Sequence, residues 1–198
     1  MFIAIHGPRF DGNDYANNAI LNGASIVVVN RKIETNSPMI IVKNSINFLE
    51  NLGAINRKTN SGIFIGVTGS IGKTTTKEII SKILSKNHKT YSTPSNQNNY
   101  IGLPLTLSNN PNDTEFSIIE ISMSNKGEIA KKSKLVMPNI AIVTSTGFSH
   151  AGNFNEPIEI ANTKSEIFDY LQKDGIAIIC STGELSNKVI ENAKTHQK

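Results

Sequence analysis

Apolar residues along this chain recur with two different periods. Short β-branched and apolar runs at residues 2–5, 25–29 and 39–42, each bounded by turn formers, predict strands. Residues 14–22 predict a helix, with Ala16, Ile20 and Leu21 on one face and Gly23 just past its end. A second helix is expected over 45–52. Further on, 63–65, 116–121, 140–144 and 175–180 are near-continuous apolar runs, the pattern of parallel strands buried on both faces. Helical spacing lies between and after them at 77–84, 126–135, 159–171 and 184–193. This alternation predicts an α/β fold, a doubly wound and mostly parallel sheet preceded by part of a small α/β domain. The polar, turn-rich segment 57–62 is the candidate boundary, giving domains over 1–60 and 61–198.

The most informative residues join the strand at 63–65 to the helix at 77–84. They read Gly66-Val67-Thr68-Gly69-Ser70-Ile71-Gly72-Lys73-Thr74-Thr75-Thr76. Glycines let backbone N–H groups curl around phosphate oxygens with no Cβ in the way, and a helix N-terminus adds the positive end of its dipole. Lys73 is placed to reach the β- and γ-phosphates, and the Thr74 hydroxyl to ligate Mg²⁺. An ordinary glycine-containing turn is the bland alternative, but Gly-Lys-Thr-Thr in a strand–turn–helix setting favours a nucleoside triphosphate. The usual G-x-x-x-x-G-K-[ST] spacing would need glycine where Val67 stands, so this loop is the variant T-G-x-x-G-K-T.

Glu120 falls near the end of the run 116–121. A carboxylate in an apolar strand is costly unless paired or on a metal, and the C-terminal end of a parallel strand faces the ligand crevice. A metal-ligand role is therefore favoured. His150, in the turn after the strand at 140–144, belongs to the same sheet edge, although a loop histidine is more often a surface residue. Lys164 reads on pattern alone as an exposed lysine beside Glu166.

Composition narrows the class without choosing a function. The 198 residues are 38% hydrophobic and 18% charged, as expected of a soluble globular chain. There is one cysteine, Cys180, so no internal disulfide and no cysteine metal site is possible. No run reaches the ~20 apolar residues of a membrane span, and residues 1–5 lack a basic leader, so a cytoplasmic location without membrane insertion is expected. The formal net charge is +4, but the basic residues are scattered apart from 131–134, and there is no tryptophan. No nucleic-acid partner is expected.

The glycine-rich loop Thr68-Gly69-Ser70-Ile71-Gly72-Lys73-Thr74-Thr75 resembles that of the Mur ligases, the ATP-dependent amide ligases of peptidoglycan synthesis. Other stretches sharpen the resemblance: Phe10-Asp11-Gly12, Asn98-Asn99-Tyr100-Ile101-Gly102-Leu103-Pro104, Glu120-Ile121-Ser122-Met123-Ser124, Gly127-Glu128-Ile129 and Lys164-Ser165-Glu166-Ile167-Phe168. They are similar to the branch that joins D-Ala-D-Ala to UDP-N-acetylmuramoyl-tripeptide. The resemblance implies that Thr68, Gly69, Ser70, Ile71, Gly72, Lys73, Thr74 and Thr75 bind ATP, with Asn99 in the loop framing the site. It implies one Mg²⁺ on Thr74 and Glu120 and a second served by His150 and Lys164, the lysine being carbamylated. Lys73, Lys164 and His150 would be the catalytic set, and Arg9, Asp11 and Gly12 would belong to the UDP-sugar domain. ATP would convert the tripeptide carboxylate into an acyl phosphate that the D-Ala-D-Ala amine attacks.

Against the family pattern, Ser145 replaces asparagine, His6 replaces lysine, Ala151-Gly152 replace Leu-Glu, and Ser181-Thr182 replace Asn-Asp. The resemblance also implies that the chain is a piece, expected to be monomeric and unable to complete the reaction alone. It would hold part of the N-terminal domain and part of the central domain, and lack the C-terminal one. A related Mur or folylpolyglutamate-type ligase, and a non-catalytic nucleotide-binding module, are the alternatives.

Overall fold

The computed structural model describes residues 1–147, 154 and 156–196. Contacts divide the chain into two compact units, Met1–Leu52 and Gly53–Lys198.

In the first unit, β1 (Phe2–Ile3), β2 (Val27–Val29) and β3 (Met39–Ile41) form a parallel sheet in the order β1-β2-β3. A 3-10 turn at Gly12–Tyr15 leads into α1 (Ala16–Leu21). Ala4, Ala16, Val27 and Val29 are buried together, with Phe2, Ile20 and Met39 packed against them. Crossovers between parallel strands need a covering element, and α1 supplies the one between β1 and β2.

The helix α2 (Ser45–Thr59) runs well past the expected end at residue 52 and takes in the first part of the polar segment 57–62. That segment is not a linker. Arg57 stacks over the Phe64 ring at 3.8 Å and donates from Nε to Val136 O (2.6 Å) and from Nη2 to Met137 O (2.7 Å). Asn56 donates to the carbonyls of Leu107 and Asn110. Their polarity serves buried backbone groups, so the division into units falls inside α2 rather than at residue 60.

The second unit is built on β4 (Ile63–Thr68), β5 (Thr90–Ser92), β6 (Phe116–Glu120), β7 (Ile140–Val143) and β8 (Ile176–Ile179). All are parallel, in the order β5-β6-β4-β7-β8, so the glycine-rich loop leaves the central strand. The helices are α3 (Lys73–Leu84), α4 (Gly102–Ser108), α5 (Glu128–Val136), α6 (Pro157–Ser165) and α7 (Ser186–His196), with a 3-10 turn at Glu166–Phe168 following α6. Alternate strand residues feed two cores. Phe64, Ile119, Ala141 and Val143 pack with Leu103, Ile129, Ile160, Phe168 and Val189 on one face. Ile65, Val67, Ile118 and Ile142 pack with Ile80 and Leu84 of α3 on the other. The doubly wound sheet expected from the pattern is present.

Three elements depart from expectation. The edge strand β8 is covered on one face only: Ala177 and Ile179 join the core, whereas Ile176 and Ile178 are 55% and 48% exposed. The helix α3 packs over β4, β5 and β6, away from that edge. The strand β5 and helix α4 carry no strong pattern in sequence. β5 is three residues of Thr-Tyr-Ser, and α4 holds a glycine and, within its first turn, a proline, where a missing N–H costs nothing.

Candidate active site

Gly69 and Gly72 shape the loop between β4 and α3. Their φ values are +152° and +85°, and a Cβ on Gly69 would overlap Thr144 Oγ1. The segment after β7 braces this loop. Ser145 O accepts from Ser70 N (3.1 Å), Ser145 Oγ accepts from Ile71 N (2.8 Å), and Thr144 Oγ1 donates to Ile71 O (2.6 Å). Ser70 Oγ donates to Gly147 O (2.5 Å).

The loop ends at the α3 N-terminus, where Gly72 provides no side-chain cap and the first-turn N–H groups have no carbonyl behind them. Lys73 folds back over the loop, donating to Gly69 O (2.7 Å) and Ser70 O (3.3 Å). Burial lowers its pKa, partly offset by Glu120. Thr75 is an exposed residue of the same first turn.

Glu120, 2% exposed, ends β6 directly beside Val67. Thr74 Oγ1 donates to its carboxylate at 3.0 and 3.2 Å, Asn98 Nδ2 donates to Oε1 (2.9 Å), and Glu120 N donates to Thr93 Oγ1 (2.9 Å). Thr68, the last residue of β4 and the one that opens the glycine-rich loop, has its Oγ1 buried without a hydrogen-bond partner. A carboxylate and a hydroxyl are hard oxygen donors of the kind Mg²⁺ prefers. Among the described residues no cluster of three or more His, Cys, Asp or Glu could hold a metal. A cation here would therefore complete its shell with phosphate oxygens and water. The donor set, the uncapped helix start and the orphaned hydroxyl fit a magnesium–nucleotide group.

Lys164 is not the exposed lysine its pattern suggested. It is 1% exposed in α6, and burial, with opposition from the nearby Lys73 charge, lowers its pKa to about 7. Glu166 does not pair with it; its carboxylate accepts from Gly127 N (2.9 Å) and Ala130 N (3.1 Å) at the start of α5. Asn99 directs its side-chain oxygen to Ile101 N and Gly102 N at the start of α4, whereas its neighbour Asn98 is the residue that reaches Glu120. His150 lies outside the described residues.

The first unit places Arg9, Asp11 and Gly12 on one loop. Asp11 accepts from Asn13 N (2.9 Å), which draws its carboxyl below the usual range, and lies 3.3 Å from the Arg31 guanidinium. Gly12 donates to Ile5 O and sits so close to Ile5 that a Cβ would meet that residue's backbone at 2.5 Å. Arg9 is exposed. The sequence reading missed Arg31, Asn98, Thr93 and Lys77. Lys77 alone carried a signal, since it stands three residues before Ile80 and seven before Leu84, on the core face of α3.

Residues 67–198 match the model of the Mur ligase middle domain. The chain is 37% identical over 196 residues to the UDP-N-acetylmuramoyl-tripeptide–D-alanyl-D-alanine ligase of Rickettsia prowazekii (strain Madrid E), covering 98% of this chain and 43% of that one. Its fold is similar to a crystal structure of MurF from Acinetobacter baumannii, at TM-score 0.90 and 32% identity, covering 98% of this chain and 42% of that one. It is also similar to MurF ligase from Thermotoga maritima in complex with ADP, at TM-score 0.83 and 33% identity, covering 96% of this chain and 45% of that one. The chain thus spans less than half the length of these relatives. A middle-domain match that begins in β4 and takes in the loop, Glu120 and Lys164 leads to one conclusion: the chain belongs to the Mur ligase family.

Proposed function

We propose that this chain carries the ATP-handling part of an amide ligase that joins D-Ala-D-Ala to UDP-N-acetylmuramoyl-tripeptide in the cytoplasm. The observation that carries the reading is the convergence of Lys73, Thr74 and the buried Glu120 at the exits of β4 and β6. A carboxylate is a poor acyl donor. Transfer of the γ-phosphoryl group of ATP to the tripeptide carboxylate makes an acyl phosphate; the D-Ala-D-Ala amine then attacks the acyl carbon, loses a proton and expels phosphate. Phosphoryl transfer of this kind depends on positioning and charge neutralisation.

Residues 68–75 would hold the phosphates, the loop through its N–H groups and Lys73 through its ammonium. Mg²⁺ held by Thr74 Oγ1 and the Glu120 carboxylate would supply neutralising charge. Lys164, whose amine is neutral above a pH of about 7, suits capture of CO₂ as a carbamate, and with His150 would serve a second ion. The loop of Arg9, Asp11 and Gly12 would belong to the UDP-sugar part, and Asn99 would frame the nucleotide loop from the start of α4.

Calorimetric titration of the 198-residue chain with Mg-ATP, beside Lys73→Ala, tests the reading. Saturable binding by the wild type, lost in the folded variant, is the expected result. A well-folded wild type that binds no ATP would overturn it.

A further inference from the structure

Lys77 is fully buried, 0% exposed, one turn beyond Lys73 on α3, and the chemistry above leaves it without a task. Its ammonium donates to Thr93 O (2.8 Å) and Ser95 O (3.4 Å), pairs with Glu78 (2.9 Å) and lies 4.0 Å from Glu120 Oε2. The segment it grips is the one that supports Glu120. Thr93 accepts from Glu120 N through its hydroxyl, and Asn98, a few residues on, donates to Glu120 Oε1. Asn98 O in turn accepts from Ser122 Oγ (2.8 Å). Ser95, at φ +46°, makes the turn between the two contacts in a conformation that side chains other than glycine seldom adopt. A buried ammonium is costly, and an apolar side chain of the same length would fill this volume at lower cost. What methionine could not do is bind two carbonyls of one turn and counter the charge of Glu120.

We propose that Lys77 is a positioning residue. It ties the segment 93–98 to α3, so that Thr93 and Asn98 hold Glu120 against Thr74, and it thereby sets the divalent-cation affinity of the nucleotide site. The proposal rests on the reading of Glu120 and Thr74 as cation ligands.

Two effects of removing the ammonium oppose each other, and their sign separates them. Loss of a positive charge near the site would by itself tighten cation binding. Release of the 93–98 segment would weaken it. Asn98→Ala loosens the same carboxylate without changing any charge, so it calibrates the second effect.

The experiment titrates Mn²⁺ into the 198-residue chain at saturating ATP, reading free Mn²⁺ by electron paramagnetic resonance, for wild type, Lys77→Met, Asn98→Ala and the double variant. ATP binding in EDTA and thermal unfolding are measured on each. Both single variants should weaken Mn²⁺ binding by about tenfold, as loss of a supporting partner to a metal ligand does, with metal-free ATP binding unchanged. The double variant should be no weaker than the weaker single one, because both act through one segment. Tighter or unchanged Mn²⁺ binding in a folded Lys77→Met, or additive losses, would overturn the proposal alone. A wild type that binds ATP but no Mn²⁺ would overturn the cation-site reading and the proposal with it. Should Lys77→Met fail to fold, the wild-type Lys77 ammonium decides by NMR. Its signal should shift when Mg²⁺ joins ATP, and an unmoved signal would overturn the proposal.

Discussion

Alanine at Gly69 should destabilise this protein far more than alanine at Gly72, although both glycines have positive φ and both belong to the phosphate loop. At Gly72, φ is +85° and the nearest atoms to a new Cβ are Thr144 Cβ and Oγ1, both at 3.8 Å, an ordinary contact. The cost there is backbone conformation alone, about 1–2 kcal/mol. At Gly69, φ is +152° and the Cβ would overlap Thr144 Oγ1, with Ser145 N at 3.0 Å and Thr144 Cβ at 3.2 Å. A residue held at such an unfavourable φ costs about 1–3 kcal/mol. In addition, Thr144 Oγ1 must rotate away from Ile71 O at 2.6 Å and Thr68 O at 3.2 Å, which share its single proton, and losing that donation costs about 1 kcal/mol. The sum is about 2–4 kcal/mol, or roughly 6–10 °C in melting midpoint for a unit of this size, against about 3–5 °C for Gly72→Ala. Thermal unfolding of the two variants by circular dichroism measures the difference. In a Thr144→Ala background Gly69→Ala should recover about 1–2 kcal/mol, since the overlapping hydroxyl is gone. Equal midpoints for the two glycine variants, or no recovery with Thr144→Ala, would refute the steric reasoning.

Arg57→Met should lower the urea-unfolding free energy by about 4 kcal/mol, because the carbonyls of Val136 and Met137 would be left buried without their donor. A loss below about 1 kcal/mol would mean that water or rearrangement satisfies those groups. Lys164 predicts a pH dependence. The unfolded chain takes up its proton near 10.5 and the folded chain only near 7, so the folded state binds fewer protons between those values. Relative to Lys164→Met, the wild type should be most stable above pH 10.5 and lose that advantage as pH falls toward about 7, with no further loss below. Urea midpoints of the two proteins across this range, in bicarbonate-free buffer, supply the check. Curves that stay parallel would show that Lys164 does not titrate inside this window.

The glycine-rich loop was legible because its chemistry is local: glycine spacing, the lysine and the threonine all follow from backbone geometry within a few residues. Glu120 was legible for a different reason, the cost of a carboxylate in an apolar strand, and it lies buried at the strand end as that argument requires. The two buried lysines were harder, yet both occupy core-facing positions. Lys77 shares a helical face with Ile80 and Leu84, and Lys164 follows the buried Ile160 by four residues and precedes the buried Ile167 by three. A lysine at an apolar face position was a readable signal, outweighed by the habit of placing lysine in solvent. The choice between Asn98 and Asn99 was not readable. Adjacent asparagines on an irregular segment point in directions that only the turn at Ser95 and the start of α4 determine.

Ser145 shows how one short side chain fits the loop it touches. Its carbonyl accepts from Ser70 N, its hydroxyl accepts from Ile71 N, and the same hydroxyl donates to Ile71 O (3.1 Å). A serine hydroxyl has one donor and two acceptor sites, so a single short side chain satisfies both backbone groups of Ile71. Thr144 adds a second bond to the same carbonyl, and Ser70 reaches Gly147. These contacts hold the loop from the neighbouring strand β7, which is itself hydrogen-bonded along β4. The N–H groups of Gly72 to Thr75 are left out of this bracing, and they are the ones a phosphate would need. A loop whose shape is set from behind keeps its donors aimed before any anion arrives, and donors that need no reorganisation are the ones that stabilise developing charge most effectively.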